Sequence, residues 1–438
     1  MRFDEALQYL LSLGHETLAI KLGLTNTERL LDALGRPQSF YEAVQIAGTN
    51  GKGSTAVMLD SAARAAGIRT GLYTSPHLVS ITERIRIDGQ EITQEEFARL
   101  TARVRSVSER LRDRGALPVL PTFFEHVTAI ALTAFKEAEV QLAILETGLG
   151  GRLDSTTVAR AEMVAITPIA FDHQEYLGAT LNAIAAEKAA IIRPGVTAII
   201  APQPPEALEV VLKRCADCAV TPRVDDCAIE AFGAEGGGRL RVSFKTRQDC
   251  YEKVLLGLRG RHQMINASVA IRLAESLRER GFSISRADII RGLESAEHQG
   301  RLELRQGQPG MLFDGAHNAA SARALACYLN EFVKAPVTLL FGAMRDKDLT
   351  EMAATLFPLA RRVILTQLEN PRAATLETLT RVVPPTFDSN KITFTSSPDE
   401  ALRVAREQTP PGGIICVTGS LYLVGEVMKL EAKENRRA

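Results

Sequence analysis

The stretch IAGTNGKGST, residues 46 to 55, constrains this chain more than any other part of it. It follows the apolar run AVQIAG (43 to 48) and leads into STAVMLDSAARAAG (54 to 67), an amphipathic helical pattern closed by Gly67. A strand, a glycine-rich turn and a helix N-terminus in that order let backbone N–H groups surround a phosphate, here with Gly48, Gly51 and Gly53 around Lys52. The usual loop ends Gly-Lys-[Ser/Thr], and the hydroxyl after the lysine holds the Mg²⁺ of the nucleotide. Gly53 has no oxygen to offer, so an ATP-binding reading requires metal ligands from elsewhere.

The strands beside the loop are the natural source, because open α/β sheets place ligands at the carboxyl ends of their strands. IRTGLYTS (68 to 75), QLAILET (141 to 147), MVAITPI (163 to 169) and VTAIIAP (196 to 202) are short β-rich runs separated by helical patterns such as LNAIAAEKAAII. Their apolarity is continuous, as expected of strands buried on both faces of a mainly parallel sheet. Three strand ends carry suitable groups: Ser75 in LYTSPH, Glu146 in ILETGLGG and His173 just past ITPIAFDH. Glu146 is followed by Gly148, Gly150 and Gly151, and a buried carboxylate is costly unless paired or metal-bound. The bland alternatives are a turn at Ser75–Pro76 and a surface histidine oriented by Asp172.

From about 205 to 260 the pattern loosens into a small antiparallel excursion with a glycine-rich turn, GAEGGGRLRVSF. Two helical segments follow, and then GMLFDGA, VTLLFGA, RVILTQ, KITFTS and GIICVTGS alternate with helix-compatible stretches. That series predicts a second, smaller Rossmann-like domain. The expected division is residues 1–298 and 299–438, in keeping with a length of 438 residues.

Formal charge balances at zero, which removes the electrostatic footprint of a nucleic-acid or acidic-membrane partner. No apolar run reaches the length of a membrane span, and MRFDEALQYLLSLGHE reads as a first amphipathic helix, not as a secretory signal. Six scattered cysteines fit a reducing, cytoplasmic compartment. Cys215 and Cys218 form C-x-x-C, but Cys227 and Cys250 lack the close spacing of a zinc knuckle, so all four read as unrelated thiols. No apolar stripe is left unassigned, and a monomer is expected.

The blocks GTNGKGS (48 to 54), TSPHL (74 to 78), ETGLGGRLDST (146 to 156), ITPIAFDHQEYLG (166 to 178), EKAAIIRPG (187 to 195), GRHQMINA (260 to 267), GRLE (300 to 303) and DGAHN (314 to 318) together resemble folylpolyglutamate synthase and dihydrofolate synthase of the Mur ligase superfamily. The likeness spans both expected domains in the same order. It implies an N-terminal P-loop ATPase domain and ligation of L-glutamate to dihydropteroate or to the tail of a reduced folate. It gives the ATP phosphates to Asn50, Gly51, Lys52, Gly53 and Ser54, and two Mg²⁺ ions to Ser75, Glu146 and His173.

Lys188 becomes the lysine that is carbamylated in this superfamily; without the resemblance it reads as an exposed helix lysine. Lys52, Glu146, His173 and Lys188 form the implied catalytic set. Asn266 is implied at the adenine, with Arg301, Asp314 and His317 completing the nucleotide site from the linker and the second domain, so that ATP binding favours closure. For the pterin or folate the resemblance points to Thr122, Phe123, Phe124 and Glu125 and to Leu153, Asp154 and Ser155. Phe123 and Phe124 could stack on a heterocycle and Asp154 could hydrogen-bond it, although aromatic residues at a helix start also serve a core. Where relatives commonly have GGRLDATN this chain has GGRLDSTT, a departure at that pocket.

A Mur-type ligase for cell-wall precursors is opposed by GKGS and TSPHL. A nucleotide-gated binding protein leaves Glu146, His173 and Lys188 surplus, and a P-loop kinase needs no glutamate.

Overall fold

The computed structural model describes residues 1–14, 23–224 and 226–435. The first amphipathic segment forms the helix Phe3–Ser12, and its continuation past residue 14 lies outside the described residues.

Eight strands build the first sheet: β1 (Glu42–Ala47), β2 (Thr70–Tyr73), β3 (Ile85–Ile87), β4 (Gln90–Glu91), β5 (Leu142–Glu146), β6 (Met163–Ile166), β7 (Thr197–Ile200) and β8 (Arg223–Val224). Their order is β4-β3-β2-β5-β1-β6-β7-β8, and the run from β2 to β8 is parallel. Alternation explains the continuous apolarity of the strands. In β5, Leu142 and Ile144 enter one core while Ala143 and Leu145 enter another on the opposite face. Sequence reasoning missed β3 and β4, a short antiparallel edge of which only Ile85 is fully buried.

The expected excursion is a separate antiparallel sheet of β9 (Ala228–Glu235), β10 (Arg239–Lys245) and β11 (Cys250–Arg259). Gly236, Gly237 and Gly238 turn between β9 and β10, all with positive φ. This sheet packs through Leu240, Val242 and Phe244 into the core that holds the loop helix Lys52–Ala65. Against that helix lies Arg286–Ser295, where a Cβ on Gly292 would stand 2.3 Å from the Ala62 Cα. Only glycine permits so close an approach, which fixes the helix that follows the phosphate loop.

The third sheet contains β12 (Glu303–Arg305), β13 (Gly310–Phe313), β14 (Val337–Phe341), β15 (Arg362–Thr366), β16 (Ile392–Thr395) and β17 (Ile414–Thr418). Its order is β12-β13-β17-β14-β15-β16, parallel except at β12. Cys215 and Cys218 lie in a fourth core beneath β6 and β7, and the Cys218 thiol points at the Ile192 carbonyl at 3.4 Å.

Candidate active site

Four neighbouring parallel strands of the first sheet, β2, β5, β1 and β6, end side by side. The loops after them carry Ser75, Glu146, the glycine-rich turn and Asp172–His173. Four neighbouring parallel strands of the third sheet, β13, β17, β14 and β15, deliver Asp314, Ser420, Lys347 and Arg372 in the same way. Both sets of strand ends line a single cavity of about 540 Å³. That volume lies within the usual range for a small-molecule site.

At the loop, Lys52 Nζ donates to the carbonyls of Gly48 (3.2 Å) and Thr49 (3.1 Å). Lys188 Nζ donates to the same Gly48 carbonyl at 2.7 Å. Two ammonium groups on one carbonyl repel each other. Burial first, and then the Lys52 charge, push Lys188 down to about 7. Lys188 is buried, not exposed, so the bland reading of an exposed helix lysine is corrected. Its helix, Leu181–Ala189, packs its apolar side into the core beneath β6 and turns the lysine toward the loop.

Glu146 is buried at the tip of β5 and accepts the Ser75 backbone N–H at 3.1 Å. A Cβ on Gly53 would stand 3.2 Å from its Oε2. The carboxylate therefore borders the place where the standard loop carries its hydroxyl. Burial pushes the Glu146 carboxyl up, and the Lys52 charge opposes that shift. His173 has a left-handed backbone, φ 49°, and its buried Nδ1 has no hydrogen-bond partner. Burial, with the nearby Lys347 charge adding to it, brings this imidazole down to about 3 despite Asp172, so it is neutral.

A desolvated carboxylate and an orphaned neutral imidazole nitrogen fit a cation. Among the described residues no three His, Cys, Asp or Glu side chains form a self-sufficient metal cage. That accords with an ion taking only a few protein ligands and completing its shell from phosphate and water.

Asp172 is the group that sequence reasoning passed over. It accepts Lys347 Nζ at 2.5 Å and Asn318 Nδ2 at 3.1 Å, and His317 Nε2 lies 3.4 Å away. Asn318 also donates to Asn50 Oδ1 at 3.1 Å. Burial raises the Asp172 carboxyl, but the His317 hydrogen bond and the surrounding positive groups outweigh it and hold the acid well below its usual range. Lys347 in turn lies 3.5 Å from Asp346, which accepts Arg372 Nη2 at 2.9 Å. The strand-tip rule that found Glu146 would have found Lys347 and Arg372 if applied to VTLLFGAMRDKD and RVILTQLENPR.

The adenine-side expectation places Asn266 beside the loop, where its Oδ1 would be 2.1 Å from a Cβ on Gly51. Its Nδ2 donates to Gln263 Oε1 at 2.8 Å. His262 and Gln263 line the cavity as well and were missed inside the quoted block GRHQMINA. Arg301 Nη1 points at the Gly315 carbonyl at 3.4 Å. Asp314 accepts the N–H groups of Leu302 and Ala316, each at 3.0 Å.

At the far end, Thr122 caps the helix Phe123–Glu137, and Glu125 closes the capping box while accepting Thr27 Oγ1 at 2.9 Å. Phe124 faces the cavity across Gly148, where a Cβ would meet its ring at 2.5 Å. Phe123 does not line the cavity. One position round the helix, its ring enters the core and lies under the Arg84 guanidinium, 5.6 Å from the ring centre. The stacking expectation is corrected to Phe124 alone.

Leu153 and Ser155 line the wall. Asp154 lines it too, but its Oδ2 takes the Gly148 and Leu149 N–H groups (2.8 and 3.0 Å) and its Oδ1 takes Thr156 N and Oγ1 (3.0 and 2.5 Å). Four internal donors make it the brace of the glycine loop.

The chain matches two family descriptions, the Mur ligase middle domain over residues 46–274 and the Mur ligase glutamate ligase domain over residues 300–421. It is 34% identical over 426 residues to the dihydrofolate synthase/folylpolyglutamate synthase of Bacillus subtilis, covering 95% of this chain and 96% of that protein. The Escherichia coli FolC complex with DHPP and ADP superposes with a TM-score of 0.87 at 30% identity, covering 100% of this chain and 99% of that one. A bifunctional folylpolyglutamate synthase/dihydrofolate synthase with Mn, AMPPNP and L-glutamate bound gives 0.84 at 29% identity, covering 99% and 98%.

Proposed function

The chain belongs to the dihydrofolate synthase/folylpolyglutamate synthase family of Mur ligases, and from that premise we propose how its cavity divides the work. It is an ATP-dependent ligase that forms an amide with L-glutamate, using a nucleotide and a divalent cation. We assign it both acceptors, dihydropteroate and reduced folates, and treat residues 1–298 and 299–438 as its two domains.

A carboxylate resists a nucleophile because its charge is delocalised. In our reading the γ-phosphoryl of ATP passes to the acceptor carboxylate, giving an acyl phosphate with a good leaving group. The glutamate amine then attacks, the tetrahedral intermediate expels phosphate, and the amide remains.

Lys52 faces the charge that develops on the transferring phosphoryl group. Asn50, Gly51, Gly53 and Ser54 cradle the phosphates, while Asn266, Arg301, Asp314 and His317 hold the adenosine half. Ser75, Glu146 and His173 hold divalent metal, two Mg²⁺ ions in the full assembly, which supplies charge neutralisation on the phosphoryl oxygens. Phe124 stacks on the heterocycle, in a pocket walled by Thr122, Glu125, Leu153, Asp154 and Ser155. One observation carries this reading: the carboxyl ends of two mainly parallel sheets meet around one cavity, with Lys52 in its wall beside the buried Glu146 and Lys188.

Lys188 is carbamylated in this reading. Its neutral amine attacks CO₂, the N–C bond forms, one proton leaves, and the resulting anion pairs with Lys52 where the ammonium was repelled. Addition of CO₂ requires the free amine, which is half populated near pH 7. Enzyme stripped of CO₂ should therefore regain activity on adding bicarbonate several-fold better at pH 8 than at pH 6. Equal recovery at both pH values would remove the assignment. The sign for stability follows from the same shift. The folded lysine loses its proton before the unfolded one does, so the unfolded chain binds more protons between about 7 and the ordinary lysine range. Unmodified protein therefore gains stability as pH rises through that window.

The site is completed by one chain, which supports a monomer. Six free thiols support a cytoplasmic setting, and no helix of the described residues is long and apolar enough to cross a membrane. The decisive experiment supplies ATP, L-glutamate and each acceptor in turn and measures ADP and the elongated product. Product with both acceptors is expected. ADP release that needs neither glutamate nor an acceptor would defeat the ligase reading.

A further inference from the structure

His298 sits in the segment that joins the helix Arg286–Ser295 to the third sheet, two residues before Gly300–Arg301. It contributes none of the cavity wall, yet its ring rests on the phosphate loop. A Cβ on Gly53 would stand 2.8 Å from His298 Cε1 and 3.3 Å from its Nε2. The same ring lies 3.3 Å through Nδ1 from the Ser54 hydroxyl. Gln263 Nε2 donates to that hydroxyl at 3.4 Å and Gln263 Oε1 accepts Asn266 Nδ2 at 2.8 Å.

The imidazole therefore fills the space that a residue-53 side chain would need, and it orients the next hydroxyl along the helix. A polar chain runs from the linker through His298, Ser54 and Gln263 to Asn266, on the outer side of the first turn of the loop helix.

We propose that His298 is a positioning residue for the nucleotide step: it seats the linker on the phosphate loop, fixes the Ser54 hydroxyl, and is the tighter of the two neighbours, with Glu146 Oε2 at 3.2 Å, that keep residue 53 a glycine. The missing hydroxyl after Lys52 is then one half of a matched pair, and the other half is a histidine some 240 residues away in sequence, the separation of His298 and Ser54 being 244. The consequence is a link between two parts of the enzyme. Arg301, three residues on in the same linker, lines the cavity, so the loop and the entry to the third sheet share one anchor. Loss of that anchor should change nucleotide affinity before it changes the chemical step.

This inference rests on the ATP-binding reading of the loop, and MgATP titration of the wild-type chain by calorimetry checks that reading separately. His298→Ala should raise KM for ATP and the calorimetric Kd about tenfold, the scale of one neutral hydrogen bond with its local ordering, while kcat falls less than about threefold. His298→Asn, whose amide can replace Nδ1 toward Ser54, should return within about threefold of wild type.

Gly53→Ser should be nearly inactive alone and recover about tenfold or more when combined with His298→Ala, because the tighter of the two contacts on the added Cβ is then removed. Ser54→Ala should add little to His298→Ala if the two share one contact. Unchanged ATP affinity in His298→Ala, or Gly53→Ser equally impaired in both backgrounds, would overturn the proposal. Should Gly53→Ser not fold in either background, the Ser54/His298 cycle decides, and independent, additive losses there would overturn it. Failure of the wild-type chain to bind MgATP would overturn the nucleotide reading and this proposal together.

Discussion

Lys52→Ala is expected to abolish glutamate-dependent ADP release, with kcat lower by about 10²–10³-fold or more, the scale of removing one preorganised charge from a developing anion. A charge at this position is costly. Burial lowers the lysine's affinity for a proton, and the neighbouring Glu146 and Asp172 charges partly restore it. Its ammonium donates to the Gly48 and Thr49 carbonyls, contacts a phosphate can replace without moving the backbone. The variant should fold, because the helix Lys52–Ala65 is fixed by its buried face from Ala56 to Ala63 and not by the lysine. Steady-state ADP release with both co-substrates, alongside a thermal melt, checks this. Retained ADP release in a folded variant would remove Lys52 from its role.

Glu146→Gln should lower kcat by a similar factor, about 10²–10³-fold, and yet make the metal-free protein more stable at neutral pH. The two effects have one cause. Burial raises the Glu146 carboxyl above its unfolded value. A group raised in this way contributes its stability below the unfolded value and loses it as pH rises through the folded value. A glutamine of the same shape carries no such charge, so the variant's advantage should grow from pH 4.5 to pH 7.5 in urea titrations without metal. Added Mg²⁺ should then stabilise wild type, through binding to the folded state only, and leave the variant nearly unchanged. A variant less stable than wild type in the metal-free titration at pH 7.5 would show that Glu146 is held by its protein partners and is not poised for a cation.

The central strands of the first sheet were readable because each is a short run buried on both faces and ends in a polar or glycine-rich turn. That single rule points to Ser75, Glu146 and His173 at neighbouring strand ends, and all three line the cavity. The edge strands β3 and β4 escaped because three and two residues carry no periodicity.

Phe123 and Phe124 were indistinguishable as letters. Roughly 100° of helix rotation separates a ring in the core from a ring in the cavity, and only the packed helix decides which is which. Asp172, Lys347, Asn318 and Arg372 were missed for another reason. Lys347 and Arg372 stand just past strand ends, within reach of the strand-tip rule, but what each of the four does is mutual, and a separation such as the 175 residues between Asp172 and Lys347 leaves no local trace of the pairing. Asp154 shows the opposite error: a carboxylate in a glycine-rich segment suggests a ligand, but here its four lone-pair directions serve the neighbouring backbone and Thr156.

The Asp172 junction is also a latch between the two halves of the chain. Because one acid joins Lys347 and Asn318 of the third-sheet half to the edge of the first sheet, rotating one half away from the other would strip a buried carboxylate of both partners. An uncompensated buried charge is costly, so opening the cavity at this seam carries a penalty that closing it removes.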